Sequence, residues 1–242
     1  MDETTIQISG LSKSYAGKKV IDNISLTVSS GEVYGLLGAN GAGKSTTIEC
    51  ILGTRKADAG KIRILGLDPH KDRKPIFEQV GVQFQESNYP DKIRVKELCE
   101  ETACLYRQPA EYEPLLSRFG LAEKKNAFVT ELSGGQKQKL VIILALIADP
   151  KVVFLDELTT GLDTKARRNV WKSLLELKEQ GLTIFLSSHF MDEVEMLCDR
   201  ISILRDSRFV FTGTVQEAME QSCCEKFEDA YLWFTGEEAD DE

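Results

Sequence analysis

The chain has 242 residues, a formal net charge of −9 and a sequence that is 42% hydrophobic and 29% charged. This length suits one large domain, which buries roughly 70–75% of its unfolded surface and needs no disulfide or metal to fold. The acidic balance argues against nucleic acid as the main ligand, because a phosphate backbone requires clustered lysine and arginine. No nucleic-acid partner is therefore expected.

The six cysteines include no paired C-x-x-C arrangement with zinc spacing, and only two histidines accompany them. A metal cluster is therefore not expected. In the absence of a secretory leader pattern, the thiols are expected to be reduced in the cytosol. The most apolar run, residues 140–148, is well short of the ~18–20 residues that span a bilayer. We expect a chain that is soluble by itself.

Short apolar runs bounded by turn residues predict strands in the first third of the chain. These predicted strands are residues 6–11, which lead into 12–15, and residues 21–28, 33–37, 61–65 and 80–84. A helix-compatible run at 46–52 follows the third strand, and residues 70–78 are expected to form a polar connection or a short helix.

Between residues 86 and 131 the character of the sequence changes, because apolar residues recur at helical spacing and prolines interrupt them. This stretch predicts a helical insertion, and a long helix is expected to follow it from Ser133 to Ala148. The helical subdomain therefore spans approximately 86–148.

The remaining elements alternate between strand and helix, which predicts a largely parallel α/β core. They are strand 152–155, helix 165–180, strand 182–186, helix 191–198 and a hairpin of 201–204 with 209–211. The chain ends in an acidic segment, residues 237–242, which is expected to be disordered.

Residues 38–46 read G-A-N-G-A-G-K-S-T and match the pattern G-x-x-x-x-G-K-[ST] between a strand and a helix. Glycines let successive N–H groups face one anion, and the new helix adds unpaired N–H groups. Lys44 can reach the β- and γ-phosphates, and the Ser45 hydroxyl can ligate Mg²⁺. The alternative is a glycine-rich turn that binds nothing. The predicted nucleotide-binding residues are Gly38, Asn40, Gly41, Ala42, Gly43, Lys44, Ser45 and Thr46.

An apolar strand at 152–155 ends in two carboxylates, Asp156 and Glu157. Ligands of open α/β sheets collect at the carboxyl ends of strands, so Asp156 is expected to reach the Mg²⁺ beside Ser45. Glu157 can align and polarise an attacking water. The alternative is that the two carboxylates only cap the next turn.

A third motif precedes a predicted helix and consists of Leu132, Ser133, Gly134, Gly135 and Gln136. Ser133 fits the N-cap position, and the two glycines leave backbone N–H groups open to an anion. The alternative is simple helix capping by Ser133, which is expected to explain neither the glycine pair nor Gln136.

Together these motifs closely resemble the ATP-binding cassette (ABC) family of transporter ATPases over nearly the whole chain. The matching residues, in order, are Tyr15, 38–46, Gln85, 132–136, Asp156, Glu157, 161–163 and His189. The fold class that the resemblance and the pattern imply is α/β: a P-loop NTPase core with a mainly parallel sheet, an antiparallel N-terminal β part and an inserted helical subdomain. The ATPase domain is expected to span 1–222, with 223–242 as a short acidic tail.

The resemblance also implies roles for single residues. Tyr15 would stack on adenine, although a lone aromatic often only packs. Gln85 would contact the metal or the attacking water; Gln83 competes with it, since alternation puts both on one face of a strand. His189 would touch the γ-phosphate, or could be a helix cap. Asp163 belongs to the loop that crosses to a second subunit.

The sequence departs from the family pattern at three places. Leu158 and Ala39 stand where proline is common, which changes the rigidity of the two loops. Lys137 and Lys139 stand where arginine is common, which keeps the charge and loses the bidentate fork. None of these changes removes a reacting group, so hydrolysis is expected to be retained.

The implied function is an ATP-hydrolysing subunit of an ABC transporter. Two cassettes, identical or homologous, would enclose two ATP molecules head to tail. The chain has hydrolytic residues but no membrane span, so an integral membrane permease is the expected partner. The protein would then lie in the cytoplasm on the inner face of the cell membrane. The direction is expected to be export, as in single-cassette drug-efflux ATPases. The alternative is a soluble ABC-type switch in translation or DNA repair.

Overall fold

A computed structural model describes residues 4–83, 89–90 and 92–236. It separates into two compact units by the contacts within the chain. The first unit holds the chain up to Ile76 and again from Phe185, and the second holds Phe77–Ile184.

The strands are β1 (Thr4–Tyr15), β2 (Lys18–Ser29), β3 (Val33–Leu37), β4 (Ala59–Ile64), β5 (Val80–Gln83), β6 (Val152–Asp156), β7 (Thr183–Ser187), β8 (Arg200–Arg205) and β9 (Arg208–Gly213). The α-helices are α1 (Lys44–Ile51), α2 (Arg73–Phe77), α3 (Val95–Ala103), α4 (Tyr112–Arg118), α5 (Gly134–Leu146), α6 (Thr164–Glu179), α7 (Met191–Leu197), α8 (Val215–Ser222) and α9 (Phe227–Thr235). Two short 3₁₀ turns lie at Ala122–Lys124 and Val129–Glu131.

The first unit contains the predicted antiparallel N-terminal sheet, in the order β2-β1-β4. Ile8 pairs with Leu26 of β2 on one side and with Ile62 of β4 on the other. All three side chains are buried, because alternate residues of a strand face the same side of the sheet. The apolar alternation in the sequence therefore identified this sheet correctly.

The same unit contains β3, which lies between β7 and β8. β3 runs parallel to β8, with Tyr34 opposite Arg200, and β9 pairs antiparallel with β8. Every residue of β3 is buried, and the Tyr34 hydroxyl lies 2.6 Å from the Ser202 hydroxyl. The predicted hairpin and the buried strand before the glycine loop are confirmed.

The second unit pairs β5 with β6 in parallel register. A Cβ added at Gly81 of β5 would lie 2.1 Å from the Ala145 carbonyl oxygen, so α5 packs directly on the strand. Helices α3 and α4 lie in the stretch predicted as a helical insertion. Of the predicted strand 80–84, Phe84 lies outside the described residues, as do 85–88 and 91 of the connection that follows.

The hydrophobic pattern of the sequence was not interpreted as predicting α8 and α9, two helices at the end of the first unit. α9 falls within 223–242, and Phe227, Ala230 and Phe234 of this helix are buried against β8 and β9. The spacing of these three residues is typical of a helix and could have predicted one. The apolar residues were instead grouped with the acidic residues around them. Residues 237–242 lie outside the described residues, and the division at 222 stays a prediction. Within the described ranges, none of the helices is long and apolar enough to cross a membrane.

The packing of α9 can be tested by truncating Phe227, which is fully buried. Phe227→Ala is expected to lower the free energy of unfolding by about 3–5 kcal/mol, because it removes a large buried side chain and leaves a cavity. Trp233→Ala on the same helix is the matched control: Trp233 is 56% exposed, and its loss should cost about 1 kcal/mol or less. Equal effects in urea denaturation would contradict this placement of the helix.

Candidate nucleotide site

The glycine loop connects Leu37 at the end of β3 with Lys44 at the start of α1. Gly43 takes the N-cap position with φ 112°, in the left-handed region that favours glycine. A Cβ at Gly43 would lie 2.8 Å from the Val20 carbonyl oxygen, and one at Gly38 would lie 2.5 Å from the Leu204 carbonyl oxygen. At both glycines the loop therefore packs so closely on the backbone of a neighbouring strand that no side chain fits.

The Lys44 side chain is buried within the curve of this loop, with 7% exposure. Its ammonium donates hydrogen bonds to the carbonyl oxygens of Gly38 at 2.6 Å and Ala39 at 3.1 Å. These bonds hold the ammonium against the carbonyl oxygens at the start of the loop. Buried ammonium groups require such partners, so the loop and the lysine stabilise each other.

Helix α1 places the next two polar residues of the motif differently. Ser45 is exposed and Thr46 is half-buried, whereas Thr47 is fully buried and its hydroxyl donates to the Gly43 carbonyl oxygen at 2.8 Å. Among the described residues, no side chain caps the amino end of α1. Within the described part of the chain, the first N–H groups of α1 therefore have no side-chain acceptor at this end of the helix.

A cavity of about 670 Å³ lies beside the loop in the first unit. Asn40, Gly41 and Ala42 line it, and so does Lys18 of β2. The binding of phosphate by the loop residues stays a prediction. Lys19 of β2 and Arg205, the last residue of β8, also line the cavity. No sequence motif indicates Lys18 or Arg205, because strand pairing brings them to the loop.

Tyr15 ends β1 and is exposed, so it is not a core side chain. Its ring lies 5.4 Å from the Lys13 ammonium and 5.4 Å from the Arg55 guanidinium carbon. These are cation–π distances. Stacking on adenine stays a prediction.

His189 follows β7 in the first unit and is exposed. Its ring lies 4.1 Å from the ring of Phe190. Phe190 takes the N-cap position of α7, so the alternative that His189 caps this helix is wrong. Its role at the γ-phosphate stays a prediction.

In the second unit, Asp156 is the last residue of β6 and has 7% exposure. Glu157 follows with φ 53°, a left-handed conformation that turns the chain sharply away from the strand. Leu158, which stands where proline is common in the family, is fully buried. Packing therefore fixes this turn in place of a proline ring.

Two glutamine amides hold the backbone of this turn. Gln83 of β5 donates to the Asp156 carbonyl oxygen at 3.0 Å, and Gln138 of α5 donates to the Leu158 carbonyl oxygen at 2.8 Å. Gln138 had no assigned role in the sequence, since its partner is 20 residues away. Gln85, the predicted metal or water contact, lies outside the described residues.

The serine–glycine segment starts α5 with a reciprocal capping box. The Gln136 N–H donates to the Ser133 hydroxyl at 3.3 Å, and the Ser133 N–H donates to the Gln136 side-chain oxygen at 3.0 Å. The expectation that capping would not explain Gln136 is therefore wrong. Ser133 and Gly134 remain exposed, while Leu132 is buried.

Asp163 takes the N-cap position of α6 and accepts a hydrogen bond from the Ala166 N–H at 2.8 Å. A Cβ at Gly135 would lie 3.0 Å from the Leu162 side chain, so the start of α5 touches the loop before α6. The second unit thus brings together the serine–glycine segment, the Asp156–Glu157 turn and the Asp163 loop. The first unit brings together the glycine loop and its cavity, and it also contains Tyr15 and His189.

A strand, a glycine loop with a buried lysine and a helix define a nucleotide-binding α/β protein. Residues 21–160 match the family model described as ABC transporter. The chain belongs to the ABC transporter family, as an ATP-binding subunit with ATPase activity. The relatives described next are named as export proteins, so they do not favour the alternative of a soluble switch in translation or DNA repair.

Among curated proteins, the chain is similar to the Nod factor export ATP-binding protein I of Rhizobium etli. The two are 40% identical over 223 residues, which cover 90% of this chain and 71% of that protein. The protein of the same name from Paraburkholderia xenovorans is 39% identical, over 88% of this chain and 72% of that protein.

Solved structures agree on the fold. An ATP-binding subunit of an ABC transporter superposes with a TM-score of 0.87 at 29% identity, over 96% of this chain and all of that one. The cbiO1 protein from Clostridium perfringens, part of an ABC transporter complex, gives 0.79 at 27% identity, over 91% of this chain and 92% of that one. The predicted fold class is confirmed.

The glycine loop generates a test with an internal control. Gly43→Ala is expected to abolish measurable ATP binding in calorimetry, because the new Cβ would meet the Val20 carbonyl oxygen and displace the start of α1. Gly41 also has a positive φ, of 80°, but a Cβ there meets nothing within 4 Å. Gly41→Ala should therefore keep binding, with the stability loss of about 1–2 kcal/mol expected from backbone strain alone. Equal binding by both variants would contradict the packing described.

Proposed function

We propose that this ABC ATPase binds Mg·ATP with the residues of its glycine loop, that Asp156 and Glu157 serve the metal and the hydrolysis, and that the protein powers export through a separate membrane permease. The observation that carries the nucleotide site is the buried Lys44 ammonium, oriented by the carbonyls of Gly38 and Ala39. The export direction is supported by relatives named as export ATP-binding proteins, which are similar over about nine-tenths of the chain.

The phosphate end of the site is assigned to the first unit. Lys44 and the N–H groups of residues 38–46 would bind the β- and γ-phosphates. The Ser45 hydroxyl and the Asp156 carboxylate are oxygen donors of the kind that Mg²⁺ prefers, so the donor set fits this ion. Gln85 is the third proposed metal contact. Bound Mg²⁺ neutralises phosphate charge during hydrolysis.

The hydrolytic step is assigned to Glu157, with His189 and Gln85 in support. Glu157 would accept a proton from the attacking water, and its half-buried position beside a rigid turn limits how far its carboxylate can move. His189 is exposed after β7 and would contact the γ-phosphate. Tyr15 would stack on the adenine ring.

A second cassette is the proposed partner for the serine–glycine segment. Ser133 and Gly134 are exposed at the start of α5, and Asp163 is exposed at the start of α6. In a head-to-tail pair, Ser133, Gly134, Gly135 and Gln136 would close over the ATP of the neighbour, and Asp163 would cross to it. Release of the γ-phosphate would then weaken the interface.

The transport partner is an integral membrane permease, which would hold the protein at the cytoplasmic face of the cell membrane. Relatives of this chain are named as export ATP-binding proteins, and a solved structure similar to it is described as part of an ABC transporter complex. The helical subdomain is the proposed contact with the permease.

The role of Glu157 is tested by Glu157→Gln, which keeps the shape of the side chain and removes the base. Steady-state hydrolysis is expected to fall by about 100-fold or more, while ATP binding is retained. With ATP, light scattering should report about twice the 27.1 kDa mass of one chain. Turnover at the unmodified rate would contradict the assignment.

The control for this experiment is Lys44→Ala, which acts on binding. Because it removes charge-assisted hydrogen bonds to phosphate, we expect the dissociation constant for ATP to rise about tenfold or more. This variant should lose the ATP-dependent dimer that Glu157→Gln gains. A dimer that forms equally without nucleotide would contradict the proposed interface.

The transport assignment is tested on the native assembly. Affinity purification of the tagged chain from detergent-solubilised membranes is expected to recover an integral membrane permease, identified by mass spectrometry. The control is a purification from the soluble fraction. Recovery of ribosomal or DNA-repair proteins in place of a membrane protein would contradict the export role.

A further inference from the structure

Tyr15 carries a cluster of charges around its ring that the family motifs do not assign. The Lys13 ammonium and the Arg55 guanidinium carbon each lie 5.4 Å from the ring centre. The ring is 37% exposed, so both cations contact it at the surface, where solvent can still reach the ring. Cation contacts of this kind fix the position of an aromatic ring and draw electron density from it.

Arg55 is itself fixed by Glu49 of α1. The Arg55 Nε donates to one carboxylate oxygen of Glu49 at 2.5 Å, and Nη2 donates to the other at 3.3 Å. The Arg55 backbone N–H also donates to the Glu49 carbonyl oxygen at 3.1 Å. Three bonds between two residues leave the guanidinium little freedom, because its planar fork matches the carboxylate.

Lys13 is fixed in the same way from another element. Its ammonium lies 2.8 Å from Asp58, whose second carboxylate oxygen accepts the Ser14 N–H at 2.7 Å. The hydrogen bonds from the Lys13 ammonium and the Ser14 N–H hold the pKa of Asp58 below its ordinary value. Each cation beside Tyr15 therefore has its own carboxylate and does not depend on the ring for charge balance.

Glu49 lies five positions after Lys44 on the same helix, which begins at the glycine loop. The contacts Glu49–Arg55 and Arg55–Tyr15 thus connect the phosphate-binding helix with the aromatic ring by two direct steps. An aromatic ring whose position is fixed by such contacts can serve as a stacking surface for a purine base.

We propose that Arg55 and Glu49 are positioning residues that hold Tyr15 as the platform for the base of the nucleotide. This inference rests on the proposed role of Tyr15 and adds how the platform is fixed relative to the phosphate loop. Arg55 determines how much of the ATP affinity comes from the base, and the phosphate contacts are independent of it.

If the Arg55–Glu49 pair served only to stabilise the fold, removing Arg55 would lower the thermal midpoint of unfolding. The two side chains are 41% and 32% exposed, and exposed ion pairs contribute little to stability. Removing Arg55 should therefore leave the thermal midpoint nearly unchanged. The effect proposed here concerns the base, so it requires a comparison between ATP and a ligand that has the phosphates alone.

The experiment measures dissociation constants of Mg·ATP and of magnesium tripolyphosphate by calorimetry. Arg55→Ala is expected to weaken ATP binding by about 3–10-fold and to leave tripolyphosphate binding unchanged. Glu49→Gln should act in the same direction, and Arg55→Lys should recover part of the loss because it restores the charge without the fork. Arg63→Ala, which removes an exposed arginine of β4 outside the cluster, is the matched control and should change neither constant.

A double-mutant cycle of Arg55→Ala with Tyr15→Ala distinguishes failure of the positioning role of Arg55 from failure of the stacking role of Tyr15. In the Tyr15→Ala background, Arg55→Ala is expected to have no further effect on ATP. A further loss there, or an equal loss for ATP and tripolyphosphate, would show that Arg55 acts on the phosphate loop and would overturn the inference. If Tyr15→Ala alone leaves the ratio of the two constants unchanged, the base platform itself is wrong. If it lowers ATP affinity while Arg55→Ala does not, only the positioning role fails.

Discussion

The interaction on which the site depends is the pair of hydrogen bonds from the Lys44 ammonium to the carbonyl oxygens of Gly38 and Ala39. A buried ammonium is costly without partners, and a glycine loop is flexible without an anchor. The lysine and the loop stabilise each other, because the hydrogen bonds hold the loop in a curve and the loop carbonyls supply acceptors for the buried ammonium. Gly43 makes the curve possible because a side chain there would meet the carbonyl oxygen of Val20 in β2.

A second constraint lies in the turn that follows β6. Its carbonyl groups are held from two sides, by Gln83 of the neighbouring strand and by Gln138 of the helix that starts with the serine–glycine segment. The carboxylates of Asp156 and Glu157 are therefore carried on a backbone whose position is tied to α5. A movement of that helix would shift the proposed base and the proposed metal ligand together, which is what coupling between nucleotide state and cassette closure requires.

The sequence predicted the elements whose signals are local. Alternation identified the strands, and the motif around Lys44 identified the glycine loop together with its flanking strand and helix. The helix α9 was missed because its apolar run, residues 230–234, is short and lies between the acidic pair at 228–229 and the acidic residues at 237–242. The function of Gln138 could not be predicted, because it depends on a contact between residues far apart in the chain. Gln136 was misread, since the capping box needs the side-chain rotamer as well as the spacing.

The most direct test of the account is a crystal structure with a non-hydrolysable ATP analogue and Mg²⁺. The account predicts β- and γ-phosphate oxygens within hydrogen-bonding distance of the Lys44 ammonium and of the N–H groups of residues 38–46. It also predicts that Lys44 keeps its bonds to the loop carbonyls. A nucleotide bound elsewhere at saturating concentration, with this loop empty, would contradict the central claim.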